Sequence, residues 1–172
     1  MAVTSSEIKF LLSGGVSNRN PNTSLGNYRS DYDIPSAILR NLFDNVSSAE
    51  ASAGDTEYRG LYIYNSNSTD SVSAFKVYIT SSTPSSSSEI DIGLDTVGLG
   101  DGRSTGVMII INNESIPPAG VSFSHPVTYA TGLNIGVLGP GQSYGIWLRR
   151  TITASAPAAD LDEMTIRCEG SV

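Results

Sequence analysis

The sequence predicts an antiparallel β-sandwich, on three observations. From residue 58 onward, short runs rich in Ile, Val, Tyr, Phe and Thr alternate with Gly, Pro, Asn, Asp and Ser, which is the composition of strands separated by turns. Within the runs, apolar residues recur every second position. And no amphipathic stretch of helical length lies between them, so alternating βα units are excluded in favour of strands joined directly.

The runs are "YRGLYIYN" (58–65), "AFKVYIT" (74–80), "SEIDIGL" (88–94), "GVMIII" (106–111), "GVSFS" (120–124), "LNIGVL" (133–138), "SYGIWLRRTI" (143–152) and "EMTIRCEG" (163–170). In the third, Ile90, Ile92 and Leu94 share a face, with Asp91 opposite. In the second, Phe75, Val77 and Ile79 oppose Lys76 and Tyr78. In the last, Met164, Ile166 and Cys168 oppose Thr165, Arg167 and Glu169. Each pattern predicts one buried and one wet face. "SSTPSSSSE" (81–89) reads as a hairpin tip, and "LGPGQS" as a tight turn in which Pro140 fixes φ.

Residues 1–57 read differently. "EIKFLL" (7–12) is a first strand. The segment that follows, "SGGVSNRNPNTSLGNYRSDYD", is polar and punctuated by Gly, Asn and Pro, with little to bury. It is longer than an ordinary connection, so it is either a surface loop or an arm laid on a neighbouring subunit. Ile38, Leu39, Leu42 and Phe43 have the spacing of one short helical face, opened by Pro35 and Ser36. The organisation expected is an N-terminal strand, extended arm and short helix over 1–57. A sandwich over 58–172 follows, forming one compact domain with part of 1–57.

The stretch 143–152 divides by alternation. Tyr144, Ile146, Leu148, Arg150 and Ile152 form the core set; Trp147, Arg149 and Thr151 face the other way. Trp147, the only tryptophan, then lies under a loop, in a subunit interface or in an exposed ligand platform. Tyr62, Tyr64 and Tyr78 are the aromatic residues that would join it in stacking on sugar rings, with Arg149 beside them.

Charge and chemistry narrow the function. The net charge is −7, and only Arg149 and Arg150 are adjacent cations, on opposite strand faces. No direct nucleic-acid contact is expected of such a chain. The one cysteine, Cys168, excludes an intrachain disulfide. No run approaches the length of apolar residues that spans a bilayer, and no membrane contact is expected. The N-terminus lacks the pattern of a signal peptide. His125 is the only histidine, which leaves no His-based triad to complete. Glu89, Asp91, Asp95 and Asp101 lie in a Gly-rich region that could hold calcium, but their spacing is not that of an EF-hand, and Asp and Gly are ordinary turn residues. "DLDE" (160–163) is a weaker acidic group. The expectation is a non-enzyme with no catalytic residue, no metal and no cofactor.

Three stretches carry a resemblance: "LLSGGVSNRNPNTSLGNYRS", "LFDNVSSAEASAGDTEYRGLYIYNSNSTDSV" and "LGPGQSYGIWLRRTITASAPA". In style and phrase the chain resembles small virion structural proteins of tailed bacteriophages. These have a Ser/Asn/Gly-rich N-terminal segment and an immunoglobulin-like β-sandwich. The resemblance implies a homo-oligomer located in the virion, whose partners are other virion proteins such as the major capsid protein or neck and tail proteins. The role it implies is capsid decoration or cement, with a neck, tail or baseplate component as the near alternative. A carbohydrate-binding module for host attachment is the alternative from a different class. The resemblance carries over no functional residue.

Overall fold

The computed structural model describes residues 2–38, 40–82, 87–158 and 163–171. Leu39, the tip 83–86, and Asp160 and Asp162 of the acidic group lie outside the described residues.

Among the described residues, seven strands form two antiparallel sheets: β1 (Ile8–Leu12), β2 (Asp55–Asn65), β3 (Val72–Ser82), β4 (Ser88–Gly100), β5 (Leu133–Leu138), β6 (Ser143–Ile152) and β7 (Met164–Ser171). The larger sheet has the order β1-β2-β6-β4 and the smaller β5-β3-β7. Division into four and three strands is shared with the seven-stranded immunoglobulin sandwich, whose order is A-B-E-D and C-F-G. The connectivity here differs: the sixth strand takes the place beside β2, and the fifth pairs with β3.

The alternation read from the sequence decides what meets between the sheets. Leu61 and Ile63 of β2, Ile92 of β4, and Ile146 and Leu148 of β6 pack against Val72, Phe75, Val77 and Ile79 of β3 and Ile135 and Leu138 of β5. All are buried. At about 1.5–3 kcal/mol for each fully buried aliphatic or aromatic side chain, this layer is the main favourable term of the fold.

The opposite face of the larger sheet departs from expectation. It is not wet. Leu11, Tyr58, Tyr62, Met108, Ile111 and Trp147 form a second buried cluster, with Leu25, Tyr64, Ile109, Val121 and Phe123 packed against it. Its cover is irregular chain from two places, residues 13–33 and 101–125. The runs 106–111 and 120–124, read as strands, belong to this cover: each touches its neighbour at a single bridge, Asn27 with Met108 and Ile92 with Ser124. The polar segment after β1 thus folds onto its own sheet. Gly60 N–H donates to Ser24 O (2.7 Å), Ile111 N–H to Leu25 O (3.1 Å) and Arg29 N–H to Gly102 O (2.8 Å). It buries Ser13, Ser24 and Ser30 completely, because their hydroxyls satisfy backbone groups: Ser24 Oγ donates to Gly60 O at 2.6 Å and Ser13 Oγ accepts from Gly26 N–H at 2.9 Å. Small hydroxyl residues serve as lining where a buried loop must settle its own amides.

The helix expected near 36–43 is replaced by turns, with Ala37 (φ 58°) and Arg40 (φ 61°) in the left-handed region. The one α-helix among the described residues, α1, is Ser48–Ala53. Ser47 opens it with a capping box: its hydroxyl accepts from Glu50 N–H while Glu50 accepts from Ser47 N–H.

Candidate functional site

The residues singled out by the sequence lie mainly on the covered face of the larger sheet. β6 runs between β2 and β4, so Trp147 sits beside Gly60 and Gly93, its register partners. It is fully buried. Its Nε1–H donates to Asp95 Oδ2 at 2.8 Å. Asp95, itself 3% exposed, also accepts from Val97 N–H (2.9 Å) and Ile109 N–H (3.3 Å). A buried carboxylate is costly unless hydrogen-bonded; here one carboxylate joins a strand, the indole and the covering loop.

Tyr62 is the second pin. Its hydroxyl donates to Asn27 O (2.7 Å) and accepts from Met108 N–H (2.8 Å). Burial pushes its pKa up to about 12, more than the Met108 hydrogen bond lowers it. The hydroxyl thus stays neutral and keeps both roles. Met108 itself fills a slot between two glycines. A Cβ on Gly60 would lie 2.9 Å from Met108 Cε, and one on Gly145 would lie 2.9 Å from Met108 Sδ. Glycine inside a strand marks such close approach.

Tyr64 is half-buried under Arg29, whose guanidinium carbon lies 3.9 Å from the ring centroid. Tyr78 is elsewhere, on β3 of the smaller sheet, donating to Glu169 Oε2 at 2.7 Å; that bond raises its pKa. Tyr62, Tyr64 and Tyr78 therefore do not share an outward face, and with Trp147 buried the four aromatic residues form no common platform. Of the positions open to it, Trp147 takes the one under a loop. Arg149 is paired with Asp91 (Nε to Oδ2, 3.1 Å) and lies over Phe123 at 5.0 Å. The Asp91 bond raises its pKa.

At the other end of the sheet, Arg150 and Glu57 are both buried and in register. Arg150 donates through Nε to Glu57 Oε2 (2.6 Å) and through Nη1 to Asp44 O (2.8 Å), and covers the Phe43 ring at 4.8 Å. Arg59, wholly buried, pairs with Glu114 and faces the same ring at 5.4 Å. Phe43 is thus clasped by two guanidinium groups, which ties the 41–44 loop to β2 and β6. Burial raises the Glu57 pKa, with Arg150 opposing.

The carboxylates proposed for calcium are divided among separate tasks. Asp91 pairs with Arg149 and Asp95 holds Trp147. Asp101 accepts from the N–H groups of Arg103, Ser104 and Thr105 and from the Ser104 hydroxyl, closing its own loop. Those bonds hold its carboxyl far below the usual range. Two triads do bring donor atoms within 4.8 Å of one another: Glu89, Asp91 and His125, and Glu50, Asp55 and Glu57. In each, the buried carboxylate already faces an arginine, which a divalent cation would have to displace. His125 Nδ1 donates to Ile90 O at 2.7 Å, holding the covering loop to β4. An open polar depression of about 240 Å³ is lined by Val16, Ser17, Arg19, Ser30, Asp31 and Tyr32; Asp31 there is paired with Arg103.

Sequence reasoning missed Asp95 as an anchor and Met108 as a plug. The signal for the second was present: Gly60 and Gly145 interrupt two otherwise bulky strands at positions that prove to face one another's neighbourhood.

No family model, no curated protein and no solved structure matches this chain. The fold and the geometry define a β-sandwich with both faces of its larger sheet covered and its polar side chains engaged in holding that cover.

Proposed function

We propose that the chain is a structural virion protein of a tailed bacteriophage, a capsid decoration or cement subunit that stabilises the particle through subunit contacts. The observation that carries the reading is the use made of the reactive-looking side chains. Asp95 and Tyr62 fasten the covering segments to the sheet, Arg150 fastens the 41–44 loop, and Trp147, Glu57 and Asp91 hold Asp95, Arg150 and Arg149 in place from neighbouring strands. Such pinning suits a body that must present fixed surfaces to neighbours. Ile38, Ile110, Val127 and Val137 are each more than half exposed, apolar area available to contacts with other subunits. The resemblance of the three sequence stretches supplies the setting. Its partners are copies of itself and a capsid, neck or tail protein.

Particles assembled without the protein should still package DNA but lose tolerance to heat or low salt. Particles of unchanged tolerance would refute the cement role. Copies per particle separate a head coat, which needs many, from a single neck, tail or baseplate ring. The carbohydrate-binding alternative gains no observation, since Trp147 and Tyr62 lie inside.

A further inference from the structure

The sandwich has four edges, and three are managed. The free side of β1 is bonded by residues 30–34: Leu12 N–H donates to Tyr32 O (3.3 Å), Ser30 N–H to Leu12 O (2.9 Å) and Ile34 N–H to Phe10 O (2.9 Å). β4 exchanges two bonds with Ser124, from Ile92 N–H (2.8 Å) and to Ile92 O (3.0 Å). β5 is short and irregular, with Gly136 at φ 89° and register shifts against β3, and bulges of that kind discourage further pairing. β7 is the fourth. It runs for eight residues, and among the described residues no backbone group bonds its outer side.

Which groups β7 offers follows from β3. Ile79 N–H donates to Pro126 O at 2.8 Å, away from β7. Backbone groups alternate along a strand, so Tyr78 and Lys76 turn theirs toward β7, where they meet Arg167 and Glu169. The Thr80 hydroxyl on Thr165 O agrees with this phase. Ile166 and Cys168, opposite Ile79 and Val77, therefore turn N–H and C=O outward.

The outer face of β7 carries Arg167 and Glu169, their side chains 60% and 43% exposed and 3.4 Å apart. Charged side chains on an edge discourage pairing, and they do so against a second copy where like charges fall directly opposite one another. This one carries both signs, two residues apart. We infer that β7 is the docking edge for a second copy of this chain, the two β7 strands pairing antiparallel about a two-fold axis at Cys168. In that register Arg167 faces the partner's Glu169, and Glu169 faces the partner's Arg167. These positions are the closely spaced kind, Cα atoms about 4.5 Å apart, where opposite charges interact best. Thr165 falls opposite the partner's Ser171, and Ile166 opposite the partner's Gly170. The two smaller sheets merge into one of six strands, an isologous contact. The inference deepens the assembly reading and rests on it only for the purpose of the dimer.

The experiment is sedimentation velocity of the purified chain over a range of concentrations, with R167E and E169R. The wild type should dimerise, and hydrogen exchange should show the Ile166 and Cys168 amides gaining protection as concentration rises. Each variant alone places like charges opposite one another, so its dimer should weaken about tenfold or more. An equimolar mixture of the two restores both opposite-charge pairs and should restore the dimer, which also shows that each variant is folded. A wild type that stays single with those two amides exchanging freely overturns the inference, as do single variants that dimerise as tightly as wild type. A dimer that attaches to no particle would overturn the virion reading and leave the edge standing; a single chain that attaches to particles would do the reverse.

Discussion

Replacing Trp147 with Phe tests whether the covered face of the larger sheet holds the fold together. The indole is fully buried and its Nε1–H lies 2.8 Å from Asp95 Oδ2. Two losses follow. The smaller ring leaves part of the indole's volume empty, at about 1–2 kcal/mol for a site that collapses only in part. The buried Asp95 carboxylate loses its shortest partner and keeps only the Val97 and Ile109 amides. A hydrogen bond to a charged group contributes about 1.5–3 kcal/mol. The sum is roughly 3–5 kcal/mol, a large part of the 5–15 kcal/mol typical of a domain. Urea unfolding followed by circular dichroism measures it, since the variant has no tryptophan left to report. A double-mutant cycle with Asp95→Ala separates the two losses, and its coupling energy should be about 1–3 kcal/mol. A cost below about 1 kcal/mol with no coupling would show that Trp147 packs against nothing fixed, and the argument for a covered face would fail.

Two further predictions rest on charged groups. Arg150→Met strands Glu57 in a buried place and should cost about 3–5 kcal/mol, whereas Arg150→Met with Glu57→Gln leaves no bare charge and should cost less than the single change; equal losses in urea titrations would contradict this. The Asp101 carboxyl, held low by the amides of its own loop, stabilises the fold above the unfolded carboxylate pKa. That contribution is lost as pH falls through the lower folded value. Carboxyl NMR titration should therefore place the Asp101 midpoint well below those of exposed aspartates; an ordinary midpoint would mean the loop does not form.

Strand positions were the most legible part of the sequence. β3, β4, β6 and β7 alternate cleanly, and the split of β6 into Ile146/Leu148 and Trp147/Arg149 is the one the two clusters display. What the pattern hid is that β2 and β6 are covered twice. "YRGLYIYN" does not alternate apolar with polar: Leu61 and Ile63 point one way, Tyr58, Tyr62 and Tyr64 the other. That is the mark of a strand buried on both faces. The cover itself was illegible for a physical reason. "GVMIII" has strand composition, yet Ile109 N–H bonds the Asp95 carboxylate instead of a ladder partner, and Ile110 is 64% exposed. Residues 13–33 read as having little to bury because, Leu25 and Arg29 apart, what they bury is hydroxyl and backbone, settled by partners distant in sequence. The expected helix failed because Leu42 and Phe43 are held from outside, Phe43 by Arg59 and Arg150, and such contacts override weak local propensity. For the site, the residue types were visible and their convergence was not.

The strand order has a consequence for how the chain is made. β2 and β4 meet only through β6, which follows both. Until residues 143–152 have left the ribosome, the larger sheet lacks its middle, and the aromatic side chains of β2 have no floor to lie on. Contacts this distant close slowly, on the order of milliseconds to seconds. The polypeptide must therefore stay soluble through most of its synthesis without its main sheet, its apolar strands β1, β2 and β4 made before the strand that joins them.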